Sequence, residues 1–116
     1  MGSSINNEAS VYHWCHLNNI PVFSPGITDS GIGDSIFFNR STDKRFVIDV
    51  NEDLNRIVNI VKNAKGRPMA SLILGGGIVR YHVMNAFKLG AGGCDYSIIL
   101  TNGGEYDCSN SGSKPE

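Results

Sequence analysis

The residues best suited to chemistry in this 116-residue chain sit in short glycine- and aspartate-rich segments. Gly75-Gly76-Gly77 follows the apolar run Ala70–Leu74 and precedes an apolar stripe with helical spacing. A strand, a glycine turn and a helix start let backbone amides approach an anion at the positive end of the helix. The match to G-x-G-x-x-G is incomplete, because Arg80 stands at the sixth position, and glycines after a strand also serve plain tight turns. Asp29 and Asp34 flank a Gly/Ser turn. They could hold ribose hydroxyls or a cationic amine, or equally make Asx turns and cap a helix. Glu105, Asp107, Ser109 and Ser111 make the last loop acidic and polar, suited to a polyamine and equally to solvation. His13-Trp14-Cys15-His16 resembles a metal cluster, yet no second ligand pair stands at a fixed spacing, so an amphipathic helix is the better reading.

The elements that must position these groups follow from periodicity. Residues 1–7 are rich in Gly, Ser and Asn and read as a frayed or vector-like start, leaving 8–116 as a single α/β domain. Helical spacing over Glu8–Leu17 stops at Asn18-Asn19, and Ile20–Phe23 has the length of a buried strand. A loop through Asp34 should then enter a short helix around Ile36-Phe37-Phe38. Asp49 with Glu52 reads as a capping box. It opens a long helix whose stripe is Val50, Leu54, Ile57, Val58 and Val61, stopped by Gly66 and Pro68. Ala70–Leu74 reads as a strand, Ile78 to Phe87 as a helix ended by Gly90–Gly93, and Tyr96–Leu100 as a third strand. The alternation predicts a parallel, doubly wound, Rossmann-like α/β fold whose strand-end loops converge on one crevice.

Composition narrows the function classes. Ten basic and eleven acidic residues leave a net charge of −1, with no basic stripe for a phosphate backbone, so nucleic acid is not the expected partner. The longest apolar runs fall far short of a bilayer span, and Cys15, Cys94 and Cys108 include no C-x-x-C pair. The expectation is a soluble, cytoplasmic chain with reduced thiols and no bound metal.

Five ordered phrases carry a resemblance. They are Asn19 to Pro25, Thr28-Asp-x-x-Ile-Gly-Asp-x-Ile-Phe-Phe, Asp49-Val-x-Glu-Asp-Leu, Ile73-Leu-Gly-Gly-Gly-Ile-Val and Glu105-Tyr-Asp-x-Ser-x-Ser-Gly. In order and spacing they resemble deoxyhypusine synthase, from about Ala9 to Glu116, over the carboxyl-terminal region of that family. The resemblance implies NAD-dependent oxidation of spermidine, followed by transfer of its aminobutyl group through a lysine imine to a lysine of the translation factor 5A precursor. By the same resemblance Asp29, Gly76, Asn102, Gly103 and Asp107 belong with NAD. Asp34, Tyr81, Asn85, Cys108, Ser109 and Asn110 belong with spermidine, whose cationic amines carboxylates would suit.

The departures from the family pattern bear on activity. Gly-Gly-Gly-x-x-Lys-His of the family is here completed by Arg80-Tyr81, and Gly-Ser-Asp is Cys108-Ser109-Asn110, one charge fewer for a polycation. A tyrosine, with an ordinary pKa of about 10, is a poor proton acceptor at neutral pH. The family's Glu-Ala-Val-x-Trp-Gly-Lys segment, which ends in the imine-forming lysine, would begin just after Pro115-Glu116. Of the five lysines present, Lys44, Lys62, Lys65, Lys88 and Lys114, only Lys114 falls in a candidate loop, and nothing there would deprotonate it. The leading expectation is a truncated or divergent synthase-like chain, inactive alone. The alternatives are a regulatory or structural subunit of a homo- or hetero-oligomer, and a stand-alone dinucleotide-binding module.

Overall fold

A computed structural model describes residues 2–45 and 47–113, the side chain of Asp29 excepted. The strongest amphipathic stripe forms the longest helix. Among the described residues, four helices and two strands run in the order α1 (Val11–Leu17), α2 (Gly31–Thr42), α3 (Val50–Ala64), β1 (Ala70–Leu74), α4 (Ile78–Ala91), β2 (Tyr96–Leu100), with a 3-10 turn at Ile27–Asp29. Asp49 caps α3 as its sequence predicts, its carboxylate accepting from the N–H groups of Asn51 and Glu52 at 2.9 and 3.3 Å. The carboxyl-terminal half of the α3 stripe packs on α4, with Val61 and Ala86 buried, while Val50 near its start stays open. Gly90 lies inside α4 rather than ending it, because a Cβ there would meet Val61 Cβ at 2.7 Å where the helices cross. The stop comes two residues later. Gly92, at φ 86°, takes the left-handed cap, with its N–H on Lys88 and that of Gly93 on Phe87.

β1 and β2 pair in parallel with Leu72 opposite Ile98 and Leu74 opposite Leu100, and α4 makes the crossover between them. Odd-numbered positions of β1 face inward, and there Ser71 and Ile73 are buried. Ser71 Oγ donates to Ser97 Oγ at 2.9 Å, with Cys94 Sγ at 3.8 Å from Ser71 Oγ. The opposite face shows Leu72, Leu74, Tyr96, Ile98 and Leu100 to solvent. The molecule is therefore mixed α/β with a small parallel sheet.

Two expectations are corrected. Ile20–Phe23 is irregular rather than a strand: Pro21 has no N–H for a ladder, and the Ile20 N–H instead closes the end of α1 on Cys15 at 2.8 Å. The loop through Asp34 is already helix, since extended Ser30 starts α2 and its carbonyl accepts the Asp34 N–H at 3.1 Å. The apolar residues of α2 spread around the helix, and Phe37 and Phe38 are exposed. Residues 2–7 lie along α1, where Ile5 O bonds His13 Nδ1 at 2.9 Å.

The packing is open for a chain of this size. Its radius of gyration is 16.3 Å, against about 13 Å for a compact domain of this length. Its accessible surface is 8879 Å², roughly 2,700 Å² more than a folded monomer of the same mass exposes.

Candidate functional site

β1 ends at Leu74 and the glycine turn follows without breaking the ladder, because the Gly75 N–H donates to Leu100 O at 2.7 Å. That bond places the turn beside the end of β2. Gly75 and Gly77 have φ of 89° and 74°, which side chains rarely adopt, and Gly77 delivers the chain into the first turn of α4. Gly76 is constrained by space instead. A Cβ there would lie 2.5 Å from Ser111 Cα and 2.6 Å from its Oγ. The glycine turn is thus covered by the chain's own last loop.

That loop is folded by short-range bonds. Thr101 Oγ1 accepts from the Gly103 N–H at 3.0 Å, and Asp107 Oδ2 accepts from the Gly104 N–H at 2.6 Å. The Gly112 N–H returns to Ser109 O at 3.2 Å, and Ser113 Oγ donates to Asn110 O at 3.1 Å. Cys108 turns the chain at φ 52°, its thiol exposed. Gly103 lacks a Cβ where Ser111 and Gly112 press against it, at 3.0 Å from Gly112 N. From the other side Arg80, in the first turn of α4, reaches the carbonyls of Asn110, Ser111 and Ser113 at 3.0, 3.4 and 2.7 Å.

The expected site residues divide accordingly. Gly76, Gly103 and residues 111–112 meet at the carboxyl ends of the two strands, with Asn102 and Asp107 in the same loop. Cys108, Ser109 and Asn110 are exposed beside them. Tyr81 and Asn85 stand one turn apart on the exposed side of α4. Asp34 sits in the first turn of α2, and Asp29 ends the 3-10 turn before it. Gly26, which opens that turn, stands near the start of α4, where its added Cβ would be 3.6 Å from Ile78 Cγ2. Two of the three predicted loops therefore converge, and no described contact joins Asp34 to them. Lys114 lies outside the described residues. Arg80 was not among the expected site residues, standing in the sequence only at a break in the glycine motif and at the family's lysine position, and Ser111 was expected only as one of the polar groups of the last loop.

Cavities of about 420 and 410 Å³ open elsewhere, both lined by Tyr12, Cys15 and Phe23, the first between α1, residues 20–24 and the start of α3, the second between α1, residues 21–25 and the α3–α4 pair. The second also holds His82, whose Nε2 is buried without a hydrogen-bond partner among the described residues. Asp43 has its carboxyl held below the usual range by the Arg45 side chain, on a fully exposed corner after α2. Among the described residues no group of His, Cys, Asp and Glu could hold a metal ion, and no helix is long and apolar enough to cross a membrane.

Comparison with known proteins places this geometry. The chain matches the family model described as deoxyhypusine synthase over residues 1–116. It is 40% identical over 116 residues to a probable deoxyhypusine synthase of Dictyostelium discoideum, which covers the whole chain and 30% of that relative. Deoxyhypusine synthases of Senecio vernalis and Saccharomyces cerevisiae are 36% and 38% identical, over 100% and 99% of this chain and 31% and 30% of their own lengths. The chain thus spans about 30% of the length of the curated relatives it matches. On the match of every residue to that family model, the chain belongs to the deoxyhypusine synthase family.

Proposed function

We propose that this chain forms the carboxyl-terminal wall of a deoxyhypusine synthase site, and that alone it does not complete the family reaction. The observation that supports this reading is the meeting of Gly76, Gly103 and residues 111–112 at the strand ends, where open α/β sheets bind ligands. The reaction is aminobutyl transfer from spermidine to a lysine of the translation factor 5A precursor, in a doubly wound, Rossmann-like, NAD-binding fold of which these strands are part. NAD, when bound, accepts the hydride that turns the amine into an imine.

The residues present fit such a cofactor in part. The first-turn amides of α4 remain available to a phosphate. Gly76 and Gly103, by contrast, are already covered by Ser111 and Gly112, and the Asp107 carboxylate is engaged by the Gly104 N–H, so the exposed Asn102 is better placed for contact. Toward spermidine, the exposed hydroxyl and amide groups of Ser109 and Asn110 offer acceptors, with Tyr81 and Asn85 across on α4. None of these is a carboxylate, so a polycation is held more weakly than at an aspartate.

A second reading, a regulatory or structural subunit of a cytoplasmic synthase oligomer, is favoured by one observation. The excess surface of roughly 2,700 Å² exceeds what one partner buries in an ordinary interface. One experiment tests both. The chain is incubated with NAD, spermidine and the factor 5A precursor, alone and with a full-length family enzyme, then reduced with borohydride. No aminobutyl adduct on the chain alone is expected. An adduct on any of its own lysines refutes the proposal, and a rate gain together with co-elution in the mixture favours the subunit reading.

A further inference from the structure

Arg80 is the one charged residue buried among those described, with 6% of its surface exposed, and its position calls for a reason. It stands in the first turn of α4, where the helix dipole disfavours a cation. Burial of a guanidinium is costly unless its N–H groups are satisfied. Here the satisfaction comes from backbone: NH1 donates to Asn110 O at 3.0 Å and to Ser111 O at 3.4 Å, and NH2 donates to Ser113 O at 2.7 Å. All the acceptors fall within four consecutive residues. The grip therefore reads the path of this segment and not its side chains.

The segment is pinned from its other side as well. Ser111 lies on Gly76 and Gly112 on Gly104, so that a Cβ on Gly76 or on Gly112 would collide, and Gly103 packs tightly on both. Its own bonds, Gly112 N–H to Ser109 O and Ser113 Oγ to Asn110 O, keep it compact. A planar cation with donors on two nitrogens can span carbonyls three residues apart, which a single ammonium cannot match.

We propose that Arg80 is a positioning residue: it clasps residues 110–113 onto the glycine turn and so fixes where Cys108, Ser109 and Asn110 stand over α4. The clasp stands independently of the functional reading above, and only the identity of what those three residues then meet rests on it.

Amide hydrogen exchange of the 116-residue chain, without ligand, tests it. Arg80→Ala should raise exchange in residues 109–113 at least tenfold and leave α3 unchanged, and Arg80→Lys should fall between it and the parent. Gly76→Ala approaches from the opposite side with Arg80 intact, and should loosen the same residues even if Arg80→Ala fails to fold. Unchanged exchange at 109–113 in a folded Arg80→Ala chain overturns the proposal. So does an equal rise across α3, or, where Arg80→Ala does not fold, a Gly76→Ala chain identical to the parent. A spermidine titration separates the two readings: a parent chain that does not bind spermidine counts against the proposed function, while the exchange pattern still decides the clasp.

Discussion

The bare face of the sheet should drive this chain to associate. Leu72 and Ile98 are register partners at its centre and keep 65% and 59% of their surface exposed. Full burial of such a side chain contributes about 2–3 kcal/mol, so covering what remains open is worth roughly 1.5 kcal/mol for each. Replacing both with glutamine removes about 3 kcal/mol from association for each copy whose face is covered, so a chain altered in every copy should show a rise of at least about 100-fold in the concentration at which association sets in. Stability of the isolated monomer should hardly move, because solvent already wets both positions. Sedimentation velocity over a wide concentration range, for the parent and the Leu72→Gln/Ile98→Gln chain, measures the shift, and circular dichroism checks the fold. A parent that stays monomeric throughout with a sharp cooperative melt, or a double variant that associates as tightly as the parent, would show the reasoning to be wrong.

Asp49→Ala should cost about 1 kcal/mol in urea titration followed by circular dichroism, because two amides of α3 lose their acceptor. Gly92→Ala should cost a similar amount, about 1 kcal/mol, since its left-handed φ of 86° suits glycine alone. The lowered pKa of Asp43 means its contribution is present above the unfolded carboxylate value and lost as pH falls through the folded one. The pair is fully exposed, so Arg45→Ala should leave the pH profile of unfolding unchanged in salt-containing buffer. Gly76→Val should weaken any NAD binding seen by calorimetry, yet through displaced Ser111 as much as through the helix amides, so Ser111→Gly on the same background should recover part of the loss.

What could be read from the sequence was whatever has a local cause. The α3 stripe, the Asp49 cap, the strands Ala70–Leu74 and Tyr96–Leu100 and the triple-glycine break each depend on residues within a turn or two, and they lie where the spacing put them. Ile20–Phe23 misled because an apolar run reads the same whether or not a neighbouring strand exists to pair with it, and Pro21 was the sign against it. The role of Gly90 depends on Val61 twenty-nine residues away, so no local pattern shows it. The Arg80 clasp was hidden for the same reason: its acceptors are carbonyls, which every residue has. A basic residue in the first turn of a helix, against the dipole, was the signal that could have raised the question.

The hydroxyl pair between the strands has a consequence for pairing fidelity. Ala70–Leu74 and Tyr96–Leu100 are apolar on both faces, so hydrophobicity alone cannot tell one alignment from the next. Serine occupies the second place in each, and only the native alignment sets Ser71 against Ser97. Sliding one strand by two residues would keep the faces right but bring Ile99 opposite Ser71, stranding a covered hydroxyl at about 1–3 kcal/mol. Two small polar residues thereby act as a tally mark, rejecting misaligned pairings that the greasy residues around them would accept.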